Sequence, residues 1–117
     1  LTSSIANFEY RYESGALDES YADIFAILIS NFHKKVENWD WRIGNGFGEE
    51  DCAFRNLQQP SSCNSTFTIN GERRQINHPE HMNDFLDLPY NQDRGGIHHN
   101  CSIHNHAAYK LLTSQMK

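Results

Sequence analysis

Ser14-Gly15-Ala16-Leu17-Asp18-Glu19-Ser20-Tyr21-Ala22-Asp23-Ile24-Phe25 reads as the opening of an amphipathic helix. Asp18 and Glu19 sit in the first turn, where carboxylates suit the positive end of the helix dipole, and Leu17, Tyr21, Ile24, Phe25, Leu28 and Phe32 recur at helical spacing. The pattern predicts a helix running to about Lys35 or Glu37, with Lys34 and Lys35 suiting its negative end. Glu19 and Asp23 stand four apart, so both carboxylates leave the same face one turn apart, beside the apolar stripe. Such a pair can hold a cation or support a ligand. It can equally be a pair of solvated surface acids.

Outward from this helix, Trp39 to Ile43 alternates like a short strand and gives way to Gly44-Asn45-Gly46, a turn. From Glu49 to Asp93 the composition is that of loops, with one hairpin predicted from Thr66-Phe67-Thr68-Ile69, Asn70-Gly71 and Glu72 to Ile76. A second helix is expected to open near Cys101 or Ser102 and to run to the end of the chain, because Ile103, Ala107, Ala108, Leu111 and Leu112 share one face. Two helices joined by so long a loop-rich span leave each apolar face short of partners, since loops contribute little core. The expectation is a piece of a larger lobe, with self-association as one way to cover those faces.

A second constellation lies at Asp93-Arg94-Gly95-Gly96-Ile97-His98-His99-Asn100. Two glycines permit a tight turn that presents a histidine close to a helix N-terminus, where the dipole disfavours imidazolium. A nearby carboxylate offsets that, and Asp93 could accept from one ring nitrogen of His98 and leave the other facing a site. The competing reading makes His98, His99, His104 and His106 ordinary polar residues or a fortuitous His-rich metal sink.

At 117 residues and 38% hydrophobic content the chain fits one domain or part of one. The net charge of −5 is not interrupted by any basic run beyond Lys34-Lys35 and Arg73-Arg74, so nucleic acid is not an expected partner. The longest apolar stretch, Ile24 to Ile29, is far short of the roughly 20 residues that cross a bilayer, and no membrane partner is expected. Of three cysteines, Cys52 and Cys63 bracket a polar loop and could pair, whereas Cys101 lies apart. Leu1 stands without an initiator Met, as in a mature, truncated or excised chain.

The stretch Tyr10 to Phe25 resembles the ESGALNE-x-x-x-D-I-F helix of thermolysin-like zinc metallopeptidases, and Asp93 to Asn100 with Ala107-Ala108-Tyr109 resembles that family's D-x-GG-[VI]-H-x-N turn and the helix after it. The resemblance implies a mainly α fold over residues 1–117: part of the C-terminal helical lobe, with two main helices, a long loop-rich connection and a small hairpin. It implies Glu19 as a zinc ligand and Asp23 as the carboxylate that orients a zinc-bound histidine. His98 would donate to the oxyanion of the tetrahedral intermediate, with Asp93 orienting it and Tyr10 as second donor. Arg55 would grip the substrate's peptide carbonyl, and Ile43 and Phe54 would wall the pocket for the residue after the scissile bond.

The chain departs from the family where it lacks any His-Glu-x-x-His, which the family's register would place just before Leu1. It therefore needs that segment as a partner to hold zinc and activate water. Positions corresponding to the family's paired calcium site read Ser30, Arg42 and Asn45 and keep only Asp40, so loss of that site is expected. The expected parent is a secreted zinc endopeptidase acting on protein or peptide. The rival expectation is a non-catalytic peptidase-like module, and the sequon Asn64-Ser65-Thr66 is a further surface signal.

Overall fold

In a computed structural model, residues 10–44, 46 and 52–114 are described. Two long helices, α1 (Tyr12–Asn31) and α2 (Asp93–Thr113), pack along each other. Between them come two small antiparallel sheets, β1 (Arg42–Ile43) with β2 (Arg55–Asn56) and β3 (Asn64–Ile69) with β4 (Glu72–Asn77). This is the mainly α architecture with one hairpin that the sequence implies. No helix of the described residues is long and apolar enough to cross a membrane.

The helix α1 stops at Asn31, a turn earlier than its charge pattern predicts. The Asn31 amide explains the stop: it accepts from Asp40 N–H at 3.0 Å and donates to Asp40 C=O at 3.1 Å, holding the returning chain against the helix end. Lys34 and Lys35 then lead into a short 3-10 turn at Val36–Asn38. Of the predicted strand, only Arg42–Ile43 pairs. Trp41 instead turns inward to join Ile27 and Leu57 in the apolar core, flanked by Ile24, Val36, Trp39, Ile43, Tyr109 and Leu112.

The stripe chosen from periodicity is not the buried one. Gly15, Ala16, Ser20, Asp23, Ile27 and Asn31 are buried, whereas Tyr21, Phe25 and Phe32 are exposed, Phe32 by 78%. Small and hydrogen-bonding side chains let the helices approach, and the polar ones satisfy each other there: Ser20 donates to Asn105 Oδ1 at 2.6 Å and meets His104 Nδ1 at 2.8 Å. On α2 the same inversion holds. Ile97, His99, Cys101, Ser102 and Asn105 are buried, while Leu111 is 74% exposed.

The helix α2 opens well before Cys101. Asp93, Arg94, Gly95 and Gly96 all have positive φ (53°, 50°, 90° and 80°), and right-handed helix follows from Ile97. The glycines take this left-handed turn without the Cβ clash that other residues meet, and an added Cβ on Gly95 would lie 2.4 Å from the Tyr12 ring. The glycine turn is present as expected, and the helix follows it directly because the Asp93 carboxylate, across that turn, accepts the His98 backbone N–H at 2.7 Å and caps the helix there.

The hairpin is longer by two residues on β3 and one on β4 than predicted, and it turns through Asn70-Gly71, both with positive φ as a two-residue turn of matching twist requires. Cys52 and Cys63 form a disulfide at its base, with Cα atoms 5.2 Å apart.

Candidate functional site

The Asp93 cap does a second thing: its other oxygen lies 2.5 Å from His98 Nδ1. One carboxylate thus fixes both the backbone and the ring of His98, and aims Nε2 outward to within 3.4 Å of Glu19 Oε2. The hydrogen bond that His98 donates to Asp93 raises the His98 pKa above its ordinary value, against the opposing effect of burial. Burial pushes the Asp93 carboxyl up, but the hydrogen bonds from His98 outweigh it and leave the carboxyl below its usual range.

Tyr10 approaches from the other side and donates its hydroxyl to Glu19 Oε1. Burial first, then the bond to Glu19 and its charge, push the Tyr10 pKa up to about 12, so the phenol keeps its proton. The Arg94 guanidinium lies 5.2 Å over the Tyr10 ring. Tyr10 and His98 therefore converge on the two oxygens of one carboxylate. The His98 side chain is 46% exposed, so the space in front of it is open.

One turn along α1, Asp23 is buried at 4% exposure. Arg55 grips it with Nε at 2.6 Å and a terminal nitrogen at 2.8 Å, and Asn105 adds a third bond at 2.9 Å. Burial alone lowers the Arg55 pKa, but the bonds to Asp23 outweigh it, so the guanidinium stays charged. Glu19 and Asp23 are accordingly not a solvated surface pair. Arg55 begins β2, and Phe54 N–H donates to Ile43 C=O at 3.0 Å, so Ile43, Phe54 and Arg55 come together at the β1–β2 pairing. The Phe54 ring lies over Gly44 and is 55% exposed.

The histidines of α2 do not form a metal sink, because successive helical positions send them apart. His98 faces Asp93 and Glu19, while His99 packs its ring against Phe67 and His78. His104 meets Ser20 and Tyr21, and His106 donates to Leu57 C=O at 3.0 Å and stacks on Tyr109. Among the described residues no three His, Cys, Asp or Glu gather to hold a metal. Glu19 offers one carboxylate, and a zinc site takes three or four protein ligands, so zinc chemistry requires groups beyond these. Of the positions tied to calcium, Ser30 donates to Ala26 C=O, Asp40 is held by Arg42 at 2.9 Å, and Asn45 lies outside the described residues. Cys101 is buried, and burial pushes its thiol up to about 12, which removes it as a nucleophile.

A family model for the thermolysin metallopeptidase α-helical domain matches residues 6–117. The chain belongs to the thermolysin metallopeptidase family. It is 34% identical over 113 residues to a zinc metalloproteinase of Listeria monocytogenes, covering 92% of this chain and 18% of the relative. It is 33% identical over 111 residues to protease PrtS of a Photorhabdus species, covering 91% of this chain and 29% of the relative. Bacillolysin of Bacillus amyloliquefaciens is 30% identical over 115 residues, 97% of this chain and 18% of the relative. The thermolysin-type chain thus spans less than a third of the length of these relatives.

Sequence reasoning missed Asn105 and Gln92. Asn105 joins Asp23 to Ser20 from 82 residues away, and nothing in its spacing marks it. Gln92 directly precedes the cap and bonds to the hairpin, a link that local pattern does not encode.

Proposed function

We propose that this chain supplies one half of the active site of a secreted zinc endopeptidase acting on protein or peptide. The observation that carries the reading is the convergence of Tyr10 Oη and His98 Nε2 on Glu19, with His98 pinned by Asp93. Zinc, when held by Glu19 together with the two histidines of a His-Glu-x-x-His segment not found in these 117 residues, supplies Lewis-acid polarisation of the scissile carbonyl.

The remaining steps belong to this chain's own side chains. Asp93 accepts the Nδ1–H of His98 and fixes the ring, and by favouring the imidazolium it leaves a second proton on Nε2, pointing into the site. As water adds to the carbonyl, negative charge grows on its oxygen. His98 Nε2–H and the Tyr10 hydroxyl, freed from Glu19 when that carboxylate turns to the metal, donate to that oxygen, with His98 still held by Asp93 as the charge develops. The Arg55 guanidinium, held by Asp23, presents its remaining N–H groups toward a substrate carbonyl, and Ile43 and Phe54 form an apolar wall suited to a bulky residue after the cleaved bond. Secretion is supported by the Cys52–Cys63 disulfide, which persists in oxidising compartments, and by relatives named extracellular elastase and extracellular metalloprotease.

The test is made on the parent protein. The coding sequence upstream of Leu1 is expected to specify His-Glu-x-x-His, and the purified parent is expected to cleave an unstructured polypeptide in a zinc-dependent, chelator-sensitive manner. A parent with no such segment and no hydrolysis is the non-catalytic module instead.

A further inference from the structure

Two side-chain amides flank the Asp93–His98 turn, and each pairs with a backbone as a strand would. Asn100 accepts from Leu86 N–H and donates to Leu86 C=O, both at 2.9 Å, which ties the turn to the preceding segment. Gln92 does the same on the hairpin: its Oε1 accepts Thr68 N–H at 2.8 Å and its Nε2 donates to Thr68 C=O at 2.7 Å. Thr68 lies opposite Arg73 in the β3–β4 register, at a position whose N–H and C=O point away from β4. Gln92 therefore acts as a one-residue third strand on the open edge of β3.

The same residue holds the turn by its backbone. Gln92 C=O accepts both Gly95 N–H and Gly96 N–H at 3.0 Å, and Gln92 N–H donates to Pro89 C=O at 3.0 Å. Its neighbour Asp93 then carries both bonds to His98. A second contact carries the hairpin to the same place. Phe67 of β3 packs edge-on to His99 at 5.3 Å, and His78, just after β4, does so at 5.1 Å. The hairpin thus touches the residue before the cap and the residue after the candidate donor.

We infer that Gln92 is a positioning residue, whose paired bonds to Thr68 use the β3–β4 hairpin as a brace that sets the direction of the Asp93–His98 pair. The inference rests on the peptidase reading for its kinetic consequence, but not for its geometry. Without the clamp, the left-handed turn at Asp93–Gly96 keeps its internal bonds and loses its external anchor. His98 Nε2 then samples a wider range of directions in front of Glu19. A displacement near 1 Å at a reacting group costs on the order of a hundredfold in rate.

The test compares Gln92→Met, which keeps the length and removes the amide, with Gly71→Ala, which strains the hairpin turn at φ 81° without touching the clamp. In the parent peptidase, Gln92→Met is expected to lower kcat roughly ten- to a hundredfold with KM little changed, while Gly71→Ala lowers the melting temperature and leaves kcat near wild type. Equal kcat for Gln92→Met and wild type overturns the inference, and so does a loss matched by Gly71→Ala. The low-field Nδ1 proton resonance of His98 is read in the same samples. It is expected to shift and broaden in Gln92→Met and to persist in Gly71→Ala. If the wild-type parent hydrolyses nothing, the peptidase reading fails while this resonance still decides the inference: a signal unchanged by Gln92→Met overturns it, and a selective loss supports it.

Discussion

Replacing Arg55 by Met should destabilise the chain more than any surface substitution, and the reason is Asp23. In the native structure that carboxylate is 4% exposed and accepts two bonds from Arg55 and one from Asn105. Methionine keeps much of the buried stem of Arg55 but withdraws both charge-assisted bonds. The anion is left in a low-dielectric setting with one neutral amide and the Cys101 thiol, 3.9 Å away. Removing one member of a buried pair costs about 3–5 kcal/mol, against a total stability of about 5–15 kcal/mol for a typical domain. With a urea slope of about 2 kcal/mol per molar, the unfolding midpoint falls by roughly 2 M. Tryptophan fluorescence follows this directly, because Trp41 is buried beside Ile27 and Leu57. Asp23→Leu combined with Arg55→Met removes the stranded charge and should recover part of the loss. A single Arg55→Met substitution that moves the midpoint by less than about 0.5 M would refute the argument that this pair holds α1 to the β1–β2 segment.

Acid sensitivity is a second expectation. Burial lowers His78 and His99 from near 6.5 to about 4, His78 also feeling the charges of His99 and Arg55. Above pH 6.5 both rings are neutral folded or unfolded, and stability is flat. Between 6.5 and about 4 the unfolded chain takes up protons that the folded chain refuses, so stability falls as pH drops, by at most roughly 3 kcal/mol per ring, and urea midpoints at pH 7 and pH 5 measure the loss. Reducing the Cys52–Cys63 bond opens a short loop with a sequence separation of 11 and should cost about 2–3 kcal/mol, read as a lower urea midpoint in dithiothreitol.

Much of the fold was legible because it is locally encoded. The glycine pair at 95–96 forces a turn and Asn70-Gly71 forces a hairpin, whereas the cap that Asp93 makes on the His98 N–H was not legible, because the helix was expected to open only near Cys101. Helix faces were not legible. Periodicity chose Tyr21, Phe25 and Phe32 for the interior, yet Ser20 and Asp23, bonded to Asn105 of α2, and Asn31, bonded to Asp40, are the buried ones, and their hydrogen bonds replace apolar packing. Polar residues can be buried when a partner from a distant segment satisfies them, and a single sequence does not display such partners. Asn105 and Arg55 meet Asp23 from separations of 82 and 32 residues. The end of α1 escaped for the same reason, since Asn31 finds its partner at Asp40 only after the chain has turned back.

In the function proposed above, His98, aimed by Asp93 and facing Glu19 beside Tyr10, stabilises the charge that develops when a peptide bond is attacked. The most direct measurement is steady-state hydrolysis of a peptide by the parent protein and its His98→Ala variant, at equal zinc content. Loss of a preorganised donor predicts a fall in kcat of about a hundred- to a thousandfold with KM changed little. A His98→Ala enzyme that keeps the wild-type kcat would contradict the account.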